Sequence, residues 1–161
     1  MNVRDPLAKL VTAEYILKST KAPGQPRKTV FTNGCFDLLH RGHVDYLLRC
    51  KSLGSILVVG LNSDESVRRI KGEERPVNRE RDRAFVLAAL ECVDFVLIFE
   101  QDTPLQLIRT VQPDVLVKGG DWPPESIVGG DEVRSRGGEV YSLPLLQGFS
   151  TTELIREIAS S

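Results

Sequence analysis

Short apolar runs alternate with segments of helical periodicity along this chain of 161 residues, and this alternation restricts its fold more than any other feature. Runs such as Ile56-Leu-Val-Val and Val115-Leu-Val are continuously apolar, which is typical of strands covered on both faces of a parallel sheet. Alternating strands and helices predict a doubly wound, Rossmann-like α/β fold, in which helices flank a parallel sheet of five strands. The predicted strands span residues 29–32, 55–61, 95–99, 115–118 and 139–143.

Six predicted helices follow the first strand, because apolar residues recur there at helical spacing. They span residues 43–53, 63–69, 79–90, 103–111, 127–136 and 151–159. Ahead of the first strand, Leu7, Leu10 and Leu17 indicate a short amphipathic helix, and the Pro- and Gly-containing residues 21–26 indicate a linker. The predicted organisation is therefore an N-terminal helix and linker over residues 1–27 and one domain over residues 28–161.

Composition excludes several classes of protein. A hydrophobic content of 41% suffices for one core, and a net charge of -1 argues against nucleic acid or a membrane surface as a partner. No apolar run approaches the roughly 18 residues of a membrane span, and no signal pattern opens the chain, so we expect a cytoplasmic protein. Cys35, Cys50 and Cys92 are widely spaced, which predicts reduced thiols and no zinc site.

The chain has two histidines, and they lie three residues apart, at His40 and His43. They fall in the turn from the first predicted strand into the next predicted helix, where unpaired backbone N–H groups and the helix dipole favour an anion. Gly42 between them allows a ligand to approach the backbone. A cap or a half-buried filler is the ordinary role of a single histidine there. Two histidines in one turn predict a phosphate site with two additional donors.

Polar turns follow four of the predicted strands, at residues 33–43, 62–64, 118–122 and 147–152. Because ligands of doubly wound folds bind at the carboxyl ends of the strands, we expect these turns to line one crevice. Ser150, Thr151 and Thr152 form a second candidate anion cradle, although Ser150 and Glu153 also match a simple capping box. Trp122 lies beside two prolines, which suits stacking on a flat ring better than core packing.

Lys71 and Arg75 follow the second helix after the first strand, in a predicted loop that contains Gly72. Solvated surface charge is the ordinary interpretation of such residues. The functional alternative is a flexible basic loop over a phosphate crevice.

Six runs of the sequence, at residues 32–43, 60–67, 71–78, 99–104, 113–121 and 150–152, are similar to the adenylyltransferases of ADP-heptose synthesis. The His-x-Gly-His run resembles the signature of the wider cytidylyltransferase-like nucleotidyltransferase superfamily, and Val117-Lys-Gly-Gly-Asp121 is more specific. In many bacteria this activity forms the C-terminal half of a bifunctional protein with a sugar kinase. A chain of this length is too short for the kinase, so the resemblance implies the stand-alone form, commonly a homodimer.

The resemblance implies a reaction in which the phosphate of D-glycero-β-D-manno-heptose 1-phosphate attacks the α-phosphorus of ATP, with Mg²⁺ bridging phosphates and no metal ligand from the protein. It implies that His40, His43 and Lys71 act on the phosphates, and that the backbone at Cys35 and Phe36 also reaches them. The other implied binding residues are Thr32, Asn33, Gly34, Asp37, Gly42, Asn62, Arg83, Lys118, Gly119, Asp121, Trp122, Ser150, Thr151 and Thr152. Among these, Gly119, Asp121 and Trp122 would hold the ribose and base, and residues 150–152 the β- and γ-phosphates.

Two alternatives remain open on the sequence. One is a CTP-dependent cytidylyltransferase that acts on glycerol 3-phosphate or a similar alcohol, although Leu145-Leu-Gln-Gly148 replaces the basic Arg-Thr-Glu-Gly of those relatives. The other is a nucleotide-binding module without turnover, against which the retained His40, His43, Lys71 and hydroxyl triplet argue.

Overall fold

Five parallel strands form a single sheet in the order β3-β2-β1-β4-β5, in a computed structural model that describes residues 5–22, 27–120 and 122–160. The strands are β1 (Thr29–Gly34), β2 (Ile56–Asn62), β3 (Phe95–Phe99), β4 (Val115–Gly119) and β5 (Glu139–Leu143). The predicted doubly wound, Rossmann-like fold is confirmed. Strands β2 and β3 are added on one side of β1, and β4 and β5 on the other. This switch point at β1 opens a crevice at the carboxyl ends of the strands.

Seven α-helices lie in the described part of the chain. They are α1 (Ala13–Thr20), α2 (Arg41–Lys51), α3 (Asp64–Lys71), α4 (Glu80–Ala89), α5 (Leu105–Val111), α6 (Gly130–Ser135) and α7 (Thr151–Ala159). Short 3₁₀ helices precede α1 and α6, at Pro6–Lys9 and Pro124–Ser126. The helix predicted at 127–136 is shortened because Gly129 adopts a left-handed conformation (φ 83°) directly before α6.

The ends of two helices near the crevice differ from the prediction. Helix α2 begins at Arg41, two residues early, because His40 is extended and its carbonyl accepts hydrogen bonds from the N–H groups of His43 and Val44. Helix α3 continues to Lys71, two residues beyond its predicted end, and stops at Gly72, where φ is 99°. Both shifts move a predicted phosphate-binding residue, His43 or Lys71, from a loop or helix edge into a helix.

Side chains of the strands alternate between two hydrophobic clusters. Val30 of β1 packs in a cluster with Leu47 of α2 and Leu87 of α4. Phe31 points the other way, into a cluster that includes Ile108 of α5. Both residues are fully buried, so the sheet is covered on both faces, as its continuous apolar strands predict.

The N-terminal segment packs against the sheet. Ile16 of α1 is fully buried in the cluster of Phe31, and Leu10 forms a parallel bridge with Val96 of β3. The Lys9 ammonium donates to the carbonyl oxygens of Leu90 and Val93 at 3.1 and 2.7 Å. The domain boundary after residue 27 stays a prediction, and most of the predicted linker, residues 23–26, lies outside the described residues. No helix among those described is long and apolar enough to cross a membrane.

Candidate active site

A pocket of about 640 Å³ opens at the carboxyl edge of the sheet, where ligands of doubly wound folds bind. Thirteen of the residues expected in the site line it, and they come from the ends of β1, β2 and β4, from α2 and α3, and from the start of α7. They are Asn33, Gly34, Cys35, Phe36, Asp37, His43, Asn62, Lys71, Lys118, Gly119, Trp122, Thr151 and Thr152. Thr32, His40, Gly42, Arg83 and Ser150 lie behind or beside this lining, and Asp121 lies outside the described residues.

The two histidines form a stacked pair at the start of α2. Their ring centroids are 3.8 Å apart and their planes differ by 19°. The edge of Phe36 approaches the His43 ring at a centroid distance of 5.3 Å. Both Nδ1 atoms are buried and make no hydrogen bond with any residue that the structure describes. The pair is therefore held by packing, and its buried polar atoms favour a ligand or water as a partner.

Burial lowers the pKa of both imidazoles. For His43 the burial of the ring and the proximity of His40 lower the pKa from 6.5 to about 4, and a nearby Leu38 carbonyl opposes the shift only in part. The pKa of His40 is lowered mainly by burial. Both rings are therefore neutral near pH 7, so each can donate one N–H without charge repulsion between the stacked rings.

Gly42 makes the close packing around this pair possible. A Cβ atom at residue 42 would lie 3.0 Å from Cβ of Phe149 and 3.1 Å from Nδ1 of His40. Any larger side chain would push these two residues apart. The glycine of His-x-Gly-His thus serves the contact between α2 and the segment before α7 rather than lining the pocket.

The carboxylate of Asp37 is hydrogen-bonded to the loop between α3 and α4. Its side chain is 1% exposed and accepts from Arg75 Nε at 2.7 Å and from the N–H groups of Val77 and Asn78 at 2.9 and 3.0 Å. Burial raises the pKa of Asp37, but these hydrogen bonds outweigh burial, so the pKa lies below its ordinary value. Asp37 lines the pocket, yet its carboxylate anchors the loop instead of standing free for a ligand.

Arg83 and Thr32 use their polar groups within the fold, behind the pocket lining, and their expected contact with the nucleotide stays a prediction. The Arg83 guanidinium is fully buried and donates to the carbonyls of Cys35 and Asn78 and to Asp64 Oδ1, at 2.6 to 2.9 Å. The Thr32 hydroxyl is buried 2.7 Å from the Tyr46 hydroxyl. Their hydrogen-bonding groups are therefore used within the fold.

Two lysines that line the pocket lack an ionic partner. Neither Lys71 nor Lys118 hydrogen-bonds or forms an ion pair with a described residue. Burial lowers the pKa of Lys118, the Cys35 thiol opposes this, and the Lys71 ammonium lowers it further. The two ammonium groups are thus close enough to repel each other. An anion between them would relieve that repulsion.

The start of α7 contributes three hydroxyls with three different environments. Ser150 caps the helix, since its Oγ accepts from the Glu153 N–H at 3.4 Å. Thr151 donates to the Leu38 carbonyl at 3.2 Å and so joins α7 to the turn before α2. Thr152 lines the pocket and makes no hydrogen bond with the described residues. Of the three hydroxyls in the predicted cradle, Ser150 caps the helix, Thr151 links two segments, and that of Thr152 is free to bind a ligand.

Several lining residues were not expected from the sequence. The segment after β3 contributes Asp102, Thr103 and Pro104, and the segment before α6 contributes Ser126, Ile127 and Val128. The polar turn after β3 could have been found, because the same rule for strand ends applies to it. Among the described residues, no group of three or more His, Cys, Asp or Glu side chains is placed to hold a metal ion.

The cytidylyltransferase-like family model matches residues 31–157. The chain is 58% identical over 143 residues to the bifunctional protein HldE of Geobacter metallireducens, covering 89% of this chain and 29% of that protein. It is 54% identical over 155 residues to the bifunctional protein HldE of Pelobacter propionicus, covering 96% and 30%. The chain therefore spans about three tenths of the length of these relatives.

Solved structures share the fold. The lipopolysaccharide core biosynthesis protein of Thermoplasma volcanium matches at 27% identity with a TM-score of 0.59, over 74% of this chain and 97% of that one. Pantoate-beta-alanine ligase of Francisella tularensis, at 13% identity, has a TM-score of 0.57 over 94% and 78%, which supports the fold alone. The match to the family model runs from β1 to α7, and the HldE relatives cover most of the same region. Both findings agree with the histidine pair at the switch point, and the chain belongs to the cytidylyltransferase-like family.

Proposed function

We propose that this protein transfers AMP from ATP to D-glycero-β-D-manno-heptose 1-phosphate, giving ADP-heptose and pyrophosphate. The observation that carries the proposal is the stacked pair of His40 and His43 beside two unpaired ammonium groups, Lys71 and Lys118. Such donors suit a reaction between two phosphates. Identity of more than half to the HldE proteins supports the heptose branch over the glycerol 3-phosphate branch.

The reaction is an in-line displacement at phosphorus. An oxygen of the sugar 1-phosphate forms a bond to the α-phosphorus, and the bond from that phosphorus to the oxygen bridging to the β-phosphorus breaks. The electron pair leaves with pyrophosphate. No covalent intermediate with the protein forms, so positioning and charge stabilisation account for catalysis.

The histidines act as neutral donors in this scheme. An N–H of His43, which lines the pocket, hydrogen-bonds an α-phosphoryl oxygen as negative charge develops on it. His40 stacks on His43 and supports its orientation. His40 lies beside the pocket lining, and in this proposal its own ring also contacts the bound phosphates. Thr152 and the N–H groups at the start of α7 bind the departing phosphates, aided by the helix dipole.

Magnesium fits this site as an ion carried by the nucleotide. The buried carboxylate of the pocket, Asp37, is already hydrogen-bonded to Arg75 and the following loop. The remaining donors described above are mainly cations, imidazoles and hydroxyls, which suit phosphate oxygens. Phosphate oxygens and water would hold the ion, which supplies neutralisation of phosphate charge.

The test is turnover with a matrix of substrates. The purified chain is offered ATP or CTP with heptose 1-phosphate, other sugar 1-phosphates and glycerol 3-phosphate, and pyrophosphate is measured. We expect ATP with heptose 1-phosphate to give the highest kcat/KM. Preference for CTP with glycerol 3-phosphate would establish the cytidylyltransferase alternative, and nucleotide binding without pyrophosphate would establish a binding module.

A further inference from the structure

The strand order divides the pocket into two halves on either side of β1. Gly119 and Trp122 follow β4, so they lie on one side. Thr152 belongs to the start of α7, which Thr151 joins to the Leu38 carbonyl in the turn between β1 and α2. Asn62 at the end of β2 and Thr103 after β3 lie on the other side. The described residues expected to hold the ribose and base, Gly119 and Trp122, lie on the β4 side. In the half over β2 and β3, Asn62 is an expected binding residue, but no residue is assigned to the sugar of the acceptor.

The geometry of an in-line displacement at phosphorus also requires the two substrates to occupy different parts of the pocket. The attacking oxygen and the leaving pyrophosphate must lie on opposite sides of the α-phosphorus. With the ribose and base expected on the β4 side and the departing phosphates at the start of α7 beside the β1–α2 turn, the half over β2 and β3 is the part of the pocket left for the acceptor.

The β2–β3 half carries free groups that suit sugar hydroxyls. The Thr103 hydroxyl has no hydrogen-bond partner within the described ranges. Asp102 accepts from Arg69 Nε through Oδ1 at 2.7 Å, which leaves Oδ2 available. Asn62 donates to Ser66 Oγ at 3.0 Å, which leaves its carbonyl oxygen available. A hydroxyl, a carboxylate and an amide together accept from and donate to neighbouring hydroxyls of a polyol.

The position of this half is also defined by its neighbours. Arg69 of α3 donates both to Asp102 and to the Glu100 carbonyl, so the turn after β3 is attached to α3. Ile70 and Pro104 supply apolar surface beside the polar groups. Lys71 follows Ile70 and brings an ammonium to the same half, toward a phosphate.

We propose that the sugar of the acceptor binds over the ends of β2 and β3, where Asp102 and Thr103 hydrogen-bond its hydroxyls and select a polyhydroxylated acceptor. This inference rests on the proposed transfer to a sugar 1-phosphate. Beyond that proposal, it names Asp102 and Thr103 as the residues that favour a sugar phosphate over a phosphorylated alcohol with fewer hydroxyls.

The test compares Thr103→Val and Asp102→Ala with two matched controls. Thr110→Val alters a half-buried threonine on α5 whose hydroxyl donates to the Gln106 carbonyl, away from the pocket, and Asp131→Ala removes an exposed carboxylate that pairs with Arg134 on α6. We expect KM for heptose 1-phosphate to rise about three- to tenfold in Thr103→Val and about tenfold or more in Asp102→Ala. KM for ATP and the melting temperature should stay near the wild-type values, and both controls should behave as wild type.

Each other outcome has a definite meaning. A rise in KM for ATP instead would put the nucleotide in this half and overturn the inference, as would unchanged constants for both substrates. If wild-type protein turns over no acceptor, the proposed function fails separately. Calorimetric titration of heptose 1-phosphate into wild type and Thr103→Val then decides the inference, which weaker binding by the variant supports and equal or absent binding overturns.

Discussion

At the scale of single residues, the histidine pair is set by its contacts with apolar rings and with Gly42. Burial keeps both imidazoles neutral, and neither Nδ1 atom has a partner in the described structure. A neutral donor gains most when charge develops on the phosphoryl oxygens, so these residues should affect the rate more than substrate affinity.

We therefore expect His43→Ala and His40→Ala each to lower kcat by about 10²–10³, by analogy with the loss of an oxyanion donor. KM for ATP should change much less. Steady-state kinetics with pyrophosphate detection measures both constants. Near-normal kcat in His43→Ala would contradict the mechanism.

Lys118 belongs to the same scale, since its effect depends on one unpaired charge near the end of β4. Its ammonium is close enough to Lys71 of the β2–β3 half for the two charges to repel each other, so we expect it beside the acceptor's phosphate, between the two halves of the pocket. Lys118→Ala should raise KM for heptose 1-phosphate by about ten- to a hundredfold, the effect of losing one charge-assisted hydrogen bond. KM for ATP should rise much less. An equal rise in KM for both substrates would show that Lys118 does not bind the acceptor's phosphate specifically. Unchanged KM values would show that Lys118 is only a solvated residue at the end of a strand.

At the scale of elements, the loop between α3 and α4 is attached to the turn between β1 and α2. Asp37 binds the loop at Arg75, Val77 and Asn78, and Arg83 of α4 binds the turn at the Cys35 carbonyl. These bonds position Cys35 and the following residues for the phosphates. The connection couples the stability of the fold to the geometry of the pocket.

Asp37→Asn should therefore lower the free energy of unfolding by about 3 kcal/mol, because it leaves the Arg75 charge without its buried partner. Urea denaturation measures this change. Asp131→Asn is the control, since its pair with Arg134 is at the surface and should change stability by less than about 1 kcal/mol. An equal effect of the two substitutions would show that the loop is not held through Asp37.

At the scale of the whole molecule, two buried groups make stability depend on pH. His43 has a folded pKa of about 4 against an ordinary value of 6.5. Between these values the unfolded chain binds a proton that the folded chain does not, so the free energy of unfolding falls as pH falls. Asp37, whose pKa is lowered in the fold, adds a further loss at more acidic pH.

The melting temperature should thus fall from pH 6.5 toward pH 4, and His43→Gln should show a smaller fall over this range. Thermal unfolding at several pH values, followed by circular dichroism, measures both slopes. Parallel slopes for wild type and variant would mean that His43 is not the group responsible.

The sequence pattern was sufficient for the fold class, for the positions of the strands and for the turn that holds the histidines. Those features depend on local spacing, since alternation, continuous apolar runs and helical periodicity are all recorded over a few neighbouring residues. The alignment of polar turns along one edge also follows from parallel strands alone. The same rule covers Asp102 and Thr103 after β3, although their contribution to the pocket had not been expected.

The roles of Arg83, Thr32 and Asp37 depended instead on contacts between distant parts of the chain. Arg83 meets Cys35 across 48 positions, and Asp37 meets Arg75 across 38. Whether a polar residue near the site faces the ligand or supports the loop depends on which buried groups need a partner, and those neighbours are set by strand order and helix packing. The spacing of residues along the chain does not contain this information. Only the tertiary structure therefore decided which polar residues line the pocket and which support it.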